Sequence, residues 1–566
     1  MGVEVTGVPF VAGYSSLAWV VPAIFLVYKV LTFGRREKHL PPGPPTVPVL
    51  GNAHLIPSEG FFSKVKEWSE QYGSVFSLKI GQSTMVVLND RKAIYELLVS
   101  KGAYYNDRPP DEQFQLTTRN ENIAAMHEGP KWKAERKIVA QHFSPNNLDT
   151  TLKAVQEAEY VQKNSPAPPV TDEDQGGTIE HHLLMQYRVA TLLHDLLERP
   201  EQFTTSVKRT TASIASITLF GHRAVDWGSF WAYAVYISAD AISRAVAPGT
   251  YLPVEQFPIL RLIPNSWTES RRRGKESYQT ITKVWNEAHE RVRKRRDGGD
   301  KRVSMLDSML DGDLACDVPL TYTELNNFLG AVHMGASDTT AMTTLTNILF
   351  LAKNPQFQER ARVELDRVCG AERAPKWSDF KDLPFINCIV KEGLRMRPVV
   401  PTGVPHAAKM DRWYEGMLIP AGSTILIPAY ALNHNADSSP DPYTYNPERF
   451  LPVADKLAPE LAASSRYDER DHYSYGAGRR ICVGLHLAER SLWRMVAQII
   501  WAFRIEPAVG PDGAPVEVNT EYDAYEEGFL HGPKEYEVRF VPRSERHAEI
   551  LRREFREIEG FLKQWE

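Results

Sequence analysis

Apolar residues recur at intervals of three and four after Gly484, which predicts a helix with one face in the core. The repeating positions are Ala488, Leu492, Met495, Val496, Ile499 and Ile500. Before this stretch, the residues "HYSY" (472–475) have strand propensity. Between the two patterns lies "GAGRRICVG", which contains three glycines, two arginines and one cysteine.

A second helix is predicted between Thr321 and Pro355. Thr321 and Glu324 form a capping-box pattern at its start, and Pro355 ends it. At about 1.5 Å per residue the helix is roughly 50 Å long, enough to cross a domain. Its centre, Gly335 to Thr340, has poor helix propensity. These small residues indicate either tight helix packing or a group admitted close to the backbone.

The stretch "DLPFINCIVKEGLRMRP" predicts a third helix, closed by Pro398. Glu392 and Arg395 lie one turn apart, an arrangement that is usually a solvated pair. The apolar residues around them leave partial burial open. Arg449, in "YNPERF", is then a candidate third member of a buried charge network.

The N-terminus predicts a membrane anchor in residues 1–34. Residues 5–28 carry no charge and are numerous enough to cross a hydrocarbon core of about 30 Å. Basic residues follow this run and Glu4 precedes it, which places the main body in the cytosol. A cleaved secretory signal is the alternative, but its basic residues would precede the run. Residues 35–50, with "LPPGPP", predict a basic and Pro-rich hinge of stiff extended backbone.

Residues 51–542 show no Gly/Ser linker, low-complexity tract or repeat, so one large helix-rich catalytic domain is predicted. The tail, 543–566, has an apolar stripe of Ile550, Leu551, Phe555, Ile558 and Leu562. This stripe predicts an amphipathic helix that packs on the domain or on a partner. A fully solvated helix is the alternative.

Composition narrows the function classes. A net charge of −5 in 566 residues gives no basic footprint for nucleic acid. The four cysteines form no CxxC pair and are too sparse for a disulfide framework. With no Asn-x-Ser/Thr acceptor in the chain, these facts fit a reducing, cytosol-facing location.

Cys482 is the candidate for metal chemistry. It stands just ahead of a predicted helix N-terminus, where the helix dipole and free N–H groups stabilise a thiolate. Gly476, Gly478 and Gly484 permit backbone shapes and close approach that side chains would block. A lone cysteine is otherwise a small buried hydrophobe, and the surrounding glycines and arginines favour the ligand interpretation.

The segment "YGAGRRICVG" resembles the haem-binding loop of the cytochromes P450, with Tyr475 in the usual Phe place. Gly478, Arg480, Cys482 and Gly484 match the remaining positions. Further segments resemble other motifs of that family in the family's order: "WKAER" (132–136), "GASDTT" (335–340), Glu392-x-x-Arg395 and "PERF" (447–450). The resemblance covers nearly the whole chain. It implies a mainly α fold with smaller β-sheets, preceded by one N-terminal transmembrane helix.

The resemblance also implies a haem b cofactor with Cys482 as the axial thiolate and metal ligand. Trp132, Arg136, His406 and Arg480 are the implied contacts to the haem propionates. Asp338 and Thr339 resemble the acid and alcohol pair that delivers protons to bound oxygen, which makes them the implied catalytic residues.

Electrons must come from outside, since no flavin or nicotinamide fingerprint is present in the sequence. The resemblance implies a separate membrane-bound reductase that uses NADPH, and a location in the endoplasmic reticulum membrane with the catalytic domain facing the cytosol. A basic patch for its docking is predicted from Lys131, Lys133, Lys137, Arg479 and Arg490.

The expected substrate is a lipophilic or aromatic small molecule, hydroxylated with O2. By analogy, the cavity wall comprises 104–129, Ala331, Met334, 399–404 and the segment around Phe529 and Leu530, which are mostly apolar or small. The sequence looks like filamentous-fungal oxidases of specialised metabolism, so a phenolic or polyketide-derived intermediate is expected. Two alternatives stay open: an isomerase or dehydratase that needs no external electrons, and a non-catalytic membrane haem-binding protein.

Overall fold

The structure is a computed structural model that describes residues 14–149, 186–247 and 249–562. Residues 1–13 of the predicted anchor and 563–566 of the predicted tail lie outside the described residues. Helices dominate, and the strands are few and short, which confirms the predicted mainly α fold with smaller sheets.

The described residues of the first half of the chain contain nine α-helices. They are α1 Tyr14–Thr32, α2 Phe61–Tyr72, α3 Arg91–Ile94, α4 Glu112–Thr118, α5 Pro130–His142, α6 Pro145–Asp149, α7 Gln186–Glu198, α8 Phe203–Phe220 and α9 Phe230–Val246, all within the described ranges. A short π-helix, Tyr95–Ser100, continues directly from α3.

The described second half contains nine more helices. They are α10 Glu269–Asp297, α11 Met305–Asp311, α12 Tyr322–Lys353, α13 Pro355–Val368, α14 Pro384–Met396, α15 Ala429–Asn433, α16 Ala458–Ala463, α17 Leu485–Ala502 and α18 Glu545–Leu562.

The strands form three small sheets. They are β1 Val75–Ile80, β2 Ser83–Leu88, β3 His406–Ala407, β4 Arg412–Tyr414, β5 Met417–Ile419, β6 Thr424–Leu426, β7 Phe503–Pro507 and β8 Val538–Pro542. The largest sheet has the order β1-β2-β6-β3, with β2 and β6 parallel and Val86 opposite Ile425. The pairs β4-β5 and β7-β8 are antiparallel.

Helix α12 runs through the centre of the molecule. The capping box of Thr321 and Glu324 is present, and Pro355 begins the next helix, as predicted. The backbone is helical without a break across Gly335 to Thr340. Tight packing occurs one turn earlier, at Gly330, where a Cβ would lie 2.4 Å from the Trp285 ring, whereas a Cβ at Gly335 would meet no protein atom within 4 Å. Open space beside Gly335 therefore favours the second interpretation, a group admitted close to the backbone.

Two predictions for the region around Cys482 need correction. Residues 472–475 form a bend and turn rather than a strand. The carbonyl oxygens of Tyr473 and Tyr475 accept hydrogen bonds from Gly476 and Cys482 of the following loop. Helix α17 was predicted to bury one face, but its polar residues Glu489, Arg490 and Arg494 are buried together with the apolar stripe. It is therefore a core helix packed on several sides.

The N-terminal region is described from Tyr14 onward. Helix α1 contains Pro22, and among the described residues no helix combines the length and apolar character needed to span a bilayer. The transmembrane helix remains a prediction. The Pro-rich hinge is extended and docked on β1, where Ser77 donates from Oγ to the Pro41 carbonyl and from its backbone N–H to the Pro42 carbonyl, both at 2.7 Å.

The tail packs on the domain. Ile550 and Leu551 of α18 are buried in the same hydrophobic cluster as residues of α14 and α17. The Phe555 ring stacks on His194 of α7 with centroids 3.8 Å apart. This confirms the predicted amphipathic helix and excludes the solvated alternative.

Candidate active site

The segment from Tyr475 to Gly484 folds as a tight loop that leads into α17. Gly476 and Gly478 have φ angles of 71° and 65°, in the left-handed region that favours glycine. At Gly478 the backbone also approaches the π-helix, since a Cβ there would lie 2.1 Å from the Leu98 carbonyl oxygen. Gly484 has an ordinary φ of −92°, so the predicted need for glycine flexibility does not hold at that position.

The side chain of Cys482 is accessible although protein surrounds it. Its side chain is exposed, yet burial by the surrounding protein raises the pKa of its thiol, against the opposing effects of the Gly484 N–H and Arg136. An exposed sulfur that protein nevertheless desolvates lines a deep concavity. The helix N-terminus was expected to stabilise a thiolate, but burial outweighs it, and a metal cation bound to the sulfur would favour the anion.

A cluster of cationic side chains lies beside the cysteine loop. Arg136 on α5 donates to the Ile481 carbonyl. The Arg480 guanidinium lies 3.8 Å from the centroid of the Trp132 ring and donates from Nε to the Asn106 carbonyl at 2.7 Å. Both terminal nitrogens of Arg480 are buried with no hydrogen-bond partner in the described structure. A buried guanidinium with two free donors is a site for an anion.

His406 belongs to the same cluster. It is buried in β3 and its Nδ1 lies 3.0 Å from the Tyr105 carbonyl oxygen, which requires the proton on Nδ1. Burial and the charges of Arg108 and Arg480 lower the pKa of His406 to about 3. Burial and, after it, the nearby positive charges thus favour the neutral form of this histidine.

Arg108 is a member of the cluster that the sequence did not single out. It is buried and donates to the carbonyl oxygens of Ala124 at 2.8 Å, Val404 at 3.2 Å and Pro405 at 2.6 Å. Burial and the proximity of Arg480 and Arg136 lower its pKa to about 9. The only available sequence signal is its place within the predicted wall segment 104–129, since a buried arginine has no local pattern of its own.

The catalytic candidates lie in the middle of α12. Thr339 donates from Oγ1 to the Gly335 carbonyl at 2.8 Å, which leaves the hydroxyl lone pairs free to accept. Asp338 is buried, and burial raises the pKa of its carboxyl, while the charge of Lys208 on α8 opposes that rise. The pair thus combines a desolvated carboxyl with a hydroxyl next to the open space at Gly335.

The predicted charge network is present and buried. Arg395 binds Glu392 through Nε at 2.7 Å and Nη2 at 2.8 Å, and Arg449 binds the same carboxylate at 3.2 Å. Glu392 is fully buried, so the solvated alternative is excluded. Arg395 also donates to the Asn433 and Pro442 carbonyls at 3.0 and 2.8 Å, which fixes α14 against the chain that leads to the cysteine loop.

The predicted wall segments come together in space. The His531 N–H donates to the Val399 carbonyl at 2.8 Å, which joins the late segment to 399–404. Arg108 joins 399–404 to the first segment through Val404. Ala331 and Met334 of α12 are half-buried and Phe529 is exposed, so the walls present mainly apolar surface.

The predicted basic patch is smaller than expected. Lys131, Lys133 and Lys137 pair with Glu324, Glu128 and Asp317 at 2.7 to 2.8 Å. Arg490 is buried and bound to Asp149 at 2.8 Å, so it does not belong to a surface patch. Arg479 is exposed and, within the described part of the chain, forms no ion pair, which leaves it as the available cation beside the loop.

These residues fit a haem. The sulfur of Cys482 would ligate the iron, and the cation cluster would suit two buried carboxylates. At Gly335 and at Gly484 a Cβ would meet no neighbouring atom within 4 Å, so there is open space beside each of these backbone positions. The donors that would hold the propionates are Trp132, Arg136, Arg480, His406 and Arg108.

Comparison with protein families gives a match to the family model described as Cytochrome P450, over residues 41–165 and 186–540. Cytochrome P450 monooxygenase acuD of Aspergillus aculeatus is 37% identical over 553 residues, which are 97% of this chain and 98% of the relative. Cytochrome P450 monooxygenase yanC of Aspergillus niger is 36% identical over 93% of this chain and 94% of the relative. Cytochrome P450 monooxygenase patI of Aspergillus clavatus is 35% identical, covering 96% of each.

A zebra fish cytochrome P450 solved with abiraterone is similar in structure. The TM-score is 0.62 at 23% sequence identity, over 85% of this chain and 100% of the zebra fish chain. This similarity concerns the fold.

Proposed function

The chain belongs to the cytochrome P450 family and is a haem-thiolate monooxygenase, and we propose that it hydroxylates a phenolic or polyketide-derived intermediate of specialised metabolism. The observation that carries the proposal is the exposed Cys482 sulfur beside a cluster of cations that includes Arg136 and the buried Arg480. The bound haem supplies activation of dioxygen, which no side chain provides. Extensive similarity to Aspergillus monooxygenases supports an intermediate of specialised metabolism as the substrate.

We propose that Cys482 ligates the iron and that five side chains hold the propionates. Gly484 N–H points at the sulfur and limits its electron donation. Arg480 offers two free donors, and Arg136, Arg108, Trp132 and His406 surround the same region. Anionic propionates would raise the pKa of His406 and allow it to donate from Nε2 as well.

We propose that Asp338 and Thr339 deliver protons in the cavity. Burial raises the pKa of the Asp338 carboxyl, which favours its protonated form relative to that of an exposed aspartate. The Thr339 hydroxyl is anchored on Gly335 and can accept a hydrogen bond at Oγ1. Together they position a proton beside the open face of α12 while the apolar walls exclude bulk water.

We propose that the protein sits on the endoplasmic reticulum membrane with its catalytic domain in the cytosol. The support is an exposed apolar patch between α9 and α10, formed by Ile259, Leu262 and Trp267, which are 70%, 77% and 79% exposed. This patch adjoins the end of α1, since the rings of Phe33 and Phe257 lie 6.2 Å apart. Contiguous exposed apolar surface of this kind fits a bilayer.

The membrane proposal is tested by flotation with vesicles. The wild type is compared with a variant that carries Leu262→Asp and Trp267→Asp, with a variant that lacks residues 1–34, and with a variant that combines both changes. Binding should fall with each change and vanish when they are combined. Val363→Asp is the control, because Val363 on α13 is 71% exposed outside this patch. Equal binding by all variants would contradict the proposal.

We propose that an NADPH-cytochrome reductase docks at Arg479. Arg479→Glu should slow reduction by the reductase, more at low than at high ionic strength, and leave chemical reduction by dithionite unchanged. Arg244→Glu, on α9, is the control. A reductase rate that Arg479→Glu leaves unchanged would exclude this contact.

The function is tested by feeding a panel of phenols and polyketide intermediates to cells that co-express the chain with reductase. The expected result is a product one oxygen heavier, labelled when the gas is isotopically labelled dioxygen. A product formed without NADPH, or without label, would indicate an isomerase or dehydratase instead.

A further inference from the structure

The chain that follows α4 adopts an unusual backbone. Arg119 and Asn120 are consecutive non-glycine residues with φ angles of 48° and 60°, a region that L-residues occupy only when their surroundings hold them there. The Asn120 side chain is tied by the His127 N–H at 3.0 Å. These contacts aim the next residue, Glu121, at α10 and α12.

The Glu121 carboxylate joins three elements. The Asn327 side chain on α12 donates to Oε2 at 2.6 Å. The Tyr278 hydroxyl on α10 donates to the same carboxylate at 3.2 Å. The Arg119 guanidinium lies 4.2 Å from the centroid of the Tyr278 ring. One carboxyl side chain thus accepts hydrogen bonds from two helices.

The other end of this segment is fixed at the cation cluster. Arg108 donates to the Ala124 carbonyl at 2.8 Å, so residues 119–124 span from α10 and α12 to the residues that would hold the propionates. Asn327 precedes Gly335 by eight residues, about 12 Å along the helix. The segment therefore connects α10 and α12 to the cation cluster, within the stretch 104–129 that the sequence assigns to the cavity wall.

The two attachments differ in how easily they open. Arg108 is held by three carbonyl groups, whereas the Glu121 end meets α10 and α12 through one half-buried carboxylate and the contact of Arg119 with the Tyr278 ring. Asn327 has a second partner, Thr282 of α10 at 3.1 Å, and keeps it when Glu121 leaves. Glu121 can therefore dissociate from α10 and α12 while the hydrogen bond between Asn327 and Thr282 still joins the two helices.

We propose that Glu121 is a latch that holds residues 119–124 closed against α10 and α12 and limits how fast aromatic molecules enter and leave the cavity. The inference rests on the proposed function, because the cavity is the one assigned to haem and substrate. Glu121 acts by positioning this wall and takes no part in the chemistry.

The test measures association and dissociation rates of phenylimidazole with the ferric full-length holoenzyme. Glu121→Ala removes both acceptor bonds and should raise both rates roughly tenfold, with little change in the dissociation constant. Glu121→Gln keeps the shape but loses the charge, so its rates should lie between. Carbon monoxide, a small ligand of the reduced iron, should bind at the wild-type rate in every variant.

Two controls separate a latch from a loosened fold. Glu287→Ala removes a carboxylate of α10 that pairs only within its helix, with Arg291 at 2.7 Å, and should leave all rates unchanged. Asn327→Ala should raise the phenylimidazole rates in the wild-type background and add nothing when Glu121 is already alanine.

Unchanged phenylimidazole rates in Glu121→Ala and Glu121→Gln, with the thiolate Soret band intact, would overturn the latch and leave the proposed function standing. An equal acceleration of carbon monoxide binding would also overturn it, because the whole fold would then have loosened. Absence of the thiolate band in the wild type would overturn the proposed function itself.

Discussion

At the scale of single residues, the site depends on buried polar groups that lack partners within the described protein. Arg480 has two such donors and Tyr475 has one hydroxyl. The sequence predicted Arg480 from a motif, because the loop places it two residues before Cys482. Arg108 was not predicted, since its burial depends on carbonyl groups from Ala124, Val404 and Pro405 that are distant in sequence.

Arg108 should be needed to retain haem. Arg108→Ala removes one cation from the anion site, so the ratio of haem to protein should fall and the rate of haem loss should rise several-fold. Arg108→Lys should restore part of the retention, because it keeps the charge. The measurement is haem content by absorbance after gel filtration.

The control for this prediction is Arg397→Ala. Arg397 is equally buried and also donates to backbone carbonyls, those of Met396 and Thr520, but it lies outside the cluster. Its loss should lower the melting temperature without changing haem retention. If both alanine variants lose haem at the same rate, Arg108 has only a structural role.

Glu135 makes stability depend on pH. It is fully buried on α5 with both carboxylate oxygens unpaired, and burial raises its pKa from an ordinary 4.5 to about 8, with Lys131 opposing and Glu324 and Glu121 adding to the rise. Between these values the folded state keeps a proton that the unfolded state has released. Stability therefore falls as pH rises through this window, by up to about 1.4 kcal/mol per pH unit.

Glu135→Gln removes this titration. The variant should gain melting temperature over the wild type at pH near 8.5, and much less at pH near 5. Glu128→Gln is the control, because Lys133 lowers the pKa of the Glu128 carboxyl and its effect should not grow between these pH values. A gain in Glu135→Gln that does not depend on pH would show that Glu135 does not titrate in this range.

At the scale of elements, periodicity and caps predicted α12, α14, α17 and α18 with useful accuracy. The capping box fixed the start of α12, and proline marked its end. The strand expected at 472–475 does not form. Backbone carbonyls of this stretch accept hydrogen bonds from the N–H groups of Gly476 and Cys482, and these contacts outweigh the local strand propensity. The burial of Glu489, Arg490 and Arg494 on α17 was not predictable, since their partners come from other elements, such as Asp149 for Arg490.

Helix α18 should contribute to the stability of the whole domain. Leu551 is 1% exposed in the main core, so Leu551→Ala should destabilise the protein by about 2–5 kcal/mol. Arg553→Ala, on the exposed side of α18, should change stability by less than about 0.5 kcal/mol. Chemical denaturation followed by fluorescence compares them, and equal midpoints would mean that α18 is not docked in solution.

At the scale of the whole molecule, α12, α14 and α17 form a rigid centre that positions one cavity. The described segments that line this cavity come from distant parts of the chain and meet through Arg108 and through His531 with Val399. The motifs predicted the parts of this arrangement in order. The contacts that join these parts, including those of Glu121, could not be predicted from the sequence. A side-chain hydrogen bond between two helices produces no periodic pattern of residues.

The central claim is that Cys482 is the thiolate ligand of a haem, and the reduced carbon monoxide spectrum tests it most directly. The wild type should show the red-shifted thiolate Soret band, and Cys482→Ser should lose it. Cys369→Ser, at a buried cysteine of the main core, should keep it. Persistence of the band in Cys482→Ser would contradict the account.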